Sequence, residues 1–108
     1  MGCTNLTLVG NDGRFLGHAT SNQFDAQGVC DTFSPYGGQF GADSIHNQFG
    51  TYGSMFSVLS AYDQFTVTPP HLLCASTGVT LNYVSKNSFL PNAIDPDALC
   101  FVLQAAGL

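Results

Sequence analysis

The stretch Phe40-Gly41-Ala42-Asp43-Ser44-Ile45-His46-Asn47-Gln48-Phe49 decides how this chain is read, because the chain contains two further versions of it. Phe24-Asp25-Ala26-Gln27-Gly28-Val29-Cys30-Asp31-Thr32-Phe33 stands 16 residues earlier, and Phe56-Ser57-Val58-Leu59-Ser60-Ala61-Tyr62-Asp63-Gln64-Phe65 stands 16 residues later. The shared pattern is F-x-x-x-[GS]-[VIA]-x-[DN]-[TQ]-F. The connecting stretches Ser34-Pro35-Tyr36-Gly37-Gly38-Gln39 and Gly50-Thr51-Tyr52-Gly53-Ser54-Met55 align as well. Three 16-residue units therefore span residues 18–65.

A unit this short cannot bury two Phe rings by itself. Stacking equivalent units gives each ring an identical neighbour, which is how repeat proteins build a continuous core. The expectation is an aromatic column of Phe24, Phe40 and Phe56 beside Phe33, Phe49 and Phe65. Each buried ring would remove about 150–250 Å² from water. On that expectation Phe49→Ala costs about 3–5 kcal/mol. Val29, Ile45 and Ala61 form a second, smaller apolar series. Asp31, Asn47 and Asp63 recur just before a Phe, and such side chains bond their own backbone two residues on, so each should fix a turn. The Tyr-Gly linkers read as turns that need positive φ. Gly and turn residues in every unit exclude long helices there, and irregular coils with little regular strand are expected.

The flanks read differently. Leu6-Thr7-Leu8-Val9 and Phe15-Leu16-Gly17-His18-Ala19 bracket Asn11-Asp12-Gly13, a hairpin turn signal. Leu72-Leu73-Cys74-Ala75 and Val79-Thr80-Leu81-Asn82-Tyr83-Val84 bracket Ser76-Thr77-Gly78 in the same way. Pro69-Pro70 marks the end of the repeats. At the C-terminus Asp95 is a good N-cap and Pro96 suits the first helical position, with Leu99, Cys100, Val102 and Leu103 as the apolar face and Gly107 as the stop. The fold class expected is mainly β and irregular: a short solenoid-like stack of 16-residue repeats, capped by two β-hairpins, with a short C-terminal helix. It is one domain, with the N-terminal hairpin in 1–17, the repeats in 18–65, the second hairpin in 66–94 and the helix in 95–106.

Composition bounds the function. The chain has 108 residues, 44% of them hydrophobic but only 8% charged, with a formal net charge of −5. All seven acids are Asp, and Arg14 and Lys86 are the only strong cations. Two cations cannot neutralise a run of phosphates, so no nucleic-acid partner is expected. The longest apolar stretch, Ala98 to Leu103, is far too short to be a transmembrane segment. The four cysteines Cys3, Cys30, Cys74 and Cys100 are widely spaced and contain no C-x-x-C, which disfavours structural zinc. A small, charge-poor core is the kind that uses disulfides, with buried free thiols the alternative. Three pairings exist, and Cys3 with Cys74 and Cys30 with Cys100 is the one preferred.

The string Ser44-Ile45-His46-Asn47-Gln48-Phe49-Gly50-Thr51-Tyr52-Gly53-Ser54-Met55-Phe56-Ser57 resembles the S-I-x-N-x-[YF]-G-x-Y-G-S repeats of small bacterial exported or lipoprotein-like proteins. Asp12-Gly13-Arg14-Phe15-Leu16-Gly17 resembles the D-G-x-[YF]-L-G hairpin with which they begin, and Pro-Pro follows their repeats too. The likeness covers roughly residues 6 to 90. It departs in using Phe where Tyr is common and in its additional cysteines. It implies an extracellular or periplasmic location and supplies no catalytic residues. Met1-Gly2-Cys3 carries no visible targeting signal, but Cys3 could serve as a lipidated first residue.

No chemistry-bearing motif stands out. His18, His46 and His71 are not in ligand spacing, and no D-x-D-x-D loop accompanies Asp31, Asn47 and Asp63, so no metal and no cofactor is assigned. G-x-S-x-G is absent and no Asp pair is marked for acid–base work. The expected function is a non-enzymatic extracellular structural or binding module, whose partner is a protein or a glycan. Tyr36 and Tyr52 are the candidate binding residues, able to stack on sugar rings if exposed. The alternative is a small hydrolase or metal-binding protein that uses Asp and His. The oligomeric state is left open.

Overall fold

The computed structural model describes residue 3 and residues 5–108. The chain is mainly β, with one sheet and one short helix. Strands β1 (Leu6–Val9) and β2 (Phe15–His18) form the first hairpin, and β3 (His71–Cys74) and β4 (Val79–Val84) the second. Gly13 and Gly78 take positive φ at the two tips, which glycine permits without a Cβ clash. A two-residue strand β5 (Ala93–Ile94) runs parallel to β4. The five-stranded order is β2-β1-β3-β4-β5.

The hairpins do not cap opposite ends. Leu6 to Val9 pairs antiparallel with His71 to Cys74, so both hairpins lie side by side in one sheet. The reason is register: Leu8 faces Leu72 across the β1–β3 seam, and both are buried.

Between β2 and β3 the described chain forms no regular strand or helix, only a β-bridge between His18 and Gly28. Its backbone is instead satisfied by turns that restart every third residue. In the first unit Asp25 N–H donates to the Asn22 carbonyl, Gly28 to Asp25, Asp31 to Gly28 and Ser34 to Asp31. The same ladder recurs as Ser44 to Gly41, Asn47 to Ser44 and Gly50 to Asn47, then as Ser57 to Ser54, Ser60 to Ser57 and Thr66 to Asp63. Every turn opens on a small residue, and the side chain of that residue often bonds the N–H two positions on. Small polar residues of the ladder point inward at several positions, with Ser34, Ser44, Ser60 and Thr66 buried. Inward polar groups need partners: Ser34 Oγ donates to the Gly28 carbonyl at 2.7 Å and Asn47 Nδ2 to the Gly41 carbonyl at 3.0 Å.

The Tyr-Gly linkers are not left-handed turns. Gly37 and Gly53 do not have positive φ. They are required by close approach, because a Cβ would stand 2.1 Å from the Asp31 carbonyl oxygen at Gly37 and 2.1 Å from that of Asn47 at Gly53.

Helix α1 (Leu99–Ala105) begins later than expected. Its N-cap is Ala98, without a side-chain cap; Asp95 instead closes its own turn, accepting from Asp97 N–H at 2.9 Å. Its end is as the Gly predicts: Gly107 has positive φ, with Gly107 N–H bonded to the Gln104 carbonyl and Leu108 N–H to that of Leu103.

One apolar cluster joins all parts. Leu8, Leu16, Leu72 and Val84 come from the sheet, Val29, Ile45 and Ala61 from the repeats, and Leu99 and Leu103 from the helix. Two disulfides fasten it: Cys3–Cys74 ties the N-terminal segment to β3, and Cys30–Cys100 ties the first unit to α1. The Cys3 sulfur is thereby engaged in the bridge to Cys74.

Candidate functional site

The expected aromatic column is not buried. Phe24, Phe33, Phe40, Phe49, Phe56 and Phe65 are 83–96% exposed. The core function in the repeats falls to Val29, Ile45 and Ala61, each fully covered. Turn geometry explains the inversion. Phe49 is the third residue of the turn that Asn47 opens, and its N–H donates to Asn47 Oδ1 at 3.0 Å. Asn22, Asp31, Ser54 and Asp63 accept in the same way from Phe24, Phe33, Phe56 and Phe65. With the turn opener facing inward, the corner residue must face out. Asn87 repeats the arrangement outside the units, and Phe89 is 90% exposed.

These corners have a second component. Gln23, Gln39, Gln48 and Gln64 each precede a repeat Phe, and all four are exposed. Two hollows lie between corners. One, of about 360 Å³, is lined by Gln23, Phe24, Cys30, Asp31, Thr32 and Phe33. The other, of about 770 Å³, is lined by Phe49, Met55 and Phe56 with His46, Gln48 and Gln64, and by Tyr62, Lys86 and Asp97. The edge-to-face aromatic pairs among the described residues involve Phe15, with His18 and with Tyr36, so the repeat rings face solvent singly.

The charged groups beside the larger hollow are bound to one another. Lys86 Nζ lies 2.7 Å from Asp97 and 2.9 Å from Asp95, and the Tyr62 hydroxyl donates to Asp97 at 2.6 Å. Asp97 is held below the usual carboxylate range, first by Lys86 and then by Tyr62. Lys86 is raised by the same contacts, Asp97 foremost. Burial, followed by the Asp97 contact, pushes the Tyr62 phenol up. Burial also lowers His46, which favours its neutral form.

The tyrosines assigned as binding candidates are placed elsewhere. Tyr52 is buried, and its hydroxyl donates to Asp12 at 2.7 Å, tying the linker to the β1–β2 tip. Burial and this bond raise its phenol to about 12. Tyr36 is half-buried, edge-on to Phe15 with centroids 5.1 Å apart. They do not form an exposed stacking pair. The three histidines also stay apart in role: His18 meets Asp25 at 3.1 Å, His46 lines the larger hollow, and His71 sits in β3. Among the described residues no three His, Cys or Asp side chains converge as a metal site. Among them, too, no helix is long and apolar enough to cross a membrane. Arg14 is committed to Asp43 through two contacts of 3.0 and 3.1 Å, so both strong cations are paired.

Comparison with protein-family models, with curated proteins and with solved structures finds no match to this chain.

Proposed function

We propose that the chain is a non-enzymatic, exported binding or structural module, and that its working surface is the array of Phe corners, which contacts the surface of a protein or a glycan. The observation that carries this reading is the exposure of all six repeat Phe rings beside an apolar core that is built without them. Large apolar groups held out in water by a hydrogen-bonded scaffold are an interaction device, because burying them would stabilise the monomer. Five of the six rings, all but Phe40, sit on a turn whose opening side chain accepts from the Phe N–H, so little order is lost on contact.

Two further observations support the non-enzymatic part. Lys86, Asp97 and Tyr62 are each shifted away from neutrality, opposite to the tuning that acid–base catalysis needs. Lys86, Asp97 and Tyr62 at the larger hollow are locked to one another in ion pairs and a hydrogen bond. Export is supported by the two disulfides, the chemistry of an oxidising compartment, and by the resemblance to exported repeat proteins. The finer architecture, a short solenoid-like stack of the 16-residue units, belongs to the same proposal; equivalent turn bonds at equivalent positions support it.

The test is binding of the folded chain to immobilised neutral glycans, to protein surfaces and to itself, in parallel with a hydrolase screen. Binding lost on Phe24→Ser, Phe33→Ser, Phe49→Ser and Phe56→Ser together is expected. A hydrolase activity abolished by one Asp→Asn change would overturn the proposal.

A further inference from the structure

We infer that the partner on this surface is a second copy of the chain, so that the Phe corners and the two ring-edged hollows form a self-association interface. This rests on the reading of the Phe corners as the working surface.

Area comes first. Six rings that are 83–96% exposed present roughly 1,000 Å² of apolar surface in total. A stable protein–protein interface buries about 800 Å² per partner. The rings stand singly, so their sum is the most that they can contribute to such an interface, and a sugar chain lying in the two hollows would cover only the four rings that edge them.

Complementarity comes second. Each hollow is edged by two unpaired rings, Phe24 with Phe33 and Phe49 with Phe56, with a glutamine beside them. The group that fits is a flat apolar ring with an amide next to it. The chain itself presents that group as Gln39-Phe40 and Gln64-Phe65, both exposed. A surface that carries both the knob and the hollow is self-complementary, which an isologous two-fold contact requires. Rings from two copies can then meet edge-to-face, the contact they lack within one copy. Phe has neither a hydroxyl nor an indole N–H for sugar hydroxyls, and an anionic partner finds Arg14 and Lys86 already paired.

Charge sets a signature. Each copy carries −5, so association opposes a modest repulsion between like charges. Salt screens that repulsion over about 8 Å at physiological strength and leaves apolar contact intact. Self-association therefore strengthens with added salt.

The experiment is analytical ultracentrifugation of the disulfide-intact chain over a concentration series, at low and high salt. The wild type is expected to move from monomer to dimer or larger species, more readily at high salt. Phe49→Ser with Phe56→Ser is expected to weaken association by at least about thirty-fold, the effect of losing one hot-spot residue. Phe101→Ser, an exposed ring on α1 outside both hollows, is expected to leave it unchanged. Unchanged far-ultraviolet dichroism and four unreactive cysteines establish that the variants are folded. A wild type that stays monomeric to its solubility limit overturns the inference, as does association indifferent to the double change. If that monomer binds a neutral glycan through the same rings, only the choice of partner fails. If it binds neither glycan nor protein, the Phe surface is not a binding surface and both readings fail.

Discussion

Replacing Phe49 by Ala separates an outward ring from a core ring by a wide margin. Phe49 is 89% exposed, so about one-tenth of a ring of roughly 200 Å² is covered. At about 25 cal/mol per Å², losing that contact costs about 0.5 kcal/mol. A fully buried Phe would cost about 3–5 kcal/mol instead. The internal standard is Ile45→Ala in the same unit. Ile45 is fully covered, so its truncation should cost about 2–5 kcal/mol. Urea unfolding of the oxidised chain, followed by tyrosine fluorescence since Trp is absent, measures both under identical conditions. It should be run at dilution, where any association through Phe49 does not add to its apparent stability. The expected outcome is a midpoint near wild type for Phe49→Ala and a large downward shift for Ile45→Ala. Equal losses, or a larger loss for Phe49→Ala, would refute the outward assignment of the rings.

Gly53→Ala should destabilise by more than about 1 kcal/mol, because its Cβ would stand 2.1 Å from the Asn47 carbonyl oxygen and backbone must move; the same urea assay reads it. Asn47→Ala removes both the bond to Phe49 N–H and the bond to the Gly41 carbonyl, so a loss of about 1–3 kcal/mol is expected, with Asn47→Asp recovering the first bond only. Removing the Cys30–Cys100 bridge by paired Ser substitution should cost about 2–4 kcal/mol and lower the thermal midpoint. Stability should also depend on pH in two windows. His46 and His71 are lowered by burial, so the unfolded chain takes up protons first and stability falls as pH drops below 6.5. Asp12, Asp25 and Asp97 are held below 3.8, so their contribution is present above that value and is lost as pH falls through their folded values; Asp97→Asn should flatten this acid arm in a urea series.

The sheet was legible in the sequence, and the orientation of the repeat was not. Both hairpins follow from short runs of strand-forming residues around Asp12-Gly13 and Thr77-Gly78, where glycine's positive φ is a local requirement. Their side-by-side pairing depends on the β1–β3 seam, a contact between segments some 65 residues apart that no local pattern encodes. The strand β5 is two residues long, too short for any period to register. A recurring large apolar residue ordinarily marks a core face, yet the repeat Phe rings face solvent. The overriding signal was a different period. A small residue opens the turn at 22, 25, 28, 31 and 34, at 41, 44, 47 and 50, and at 54, 57 and 63. Phe24, Phe33, Phe49, Phe56 and Phe65 each lie two positions after one of these openers and face out. Asp31, Asn47 and Asp63 behave as their chemistry predicts, each accepting from the Phe N–H that follows. The Tyr-Gly linker alone suggests an exposed Tyr52, and the hydrogen bond that ties its hydroxyl to Asp12, forty residues away, has no local signal.

The central claim is that the repeat turns its phenylalanines to solvent and its Val29, Ile45 and Ala61 to the core. Hydroxyl-radical footprinting with mass spectrometry on the dilute, disulfide-intact monomer measures this residue by residue. Phe24, Phe33, Phe40, Phe49, Phe56 and Phe65 should be modified at close to the rate of Phe in an unfolded control, while Leu8, Ile45 and Leu99 are protected. Protection of the six rings in the monomer, at the level of Ile45, would contradict the account.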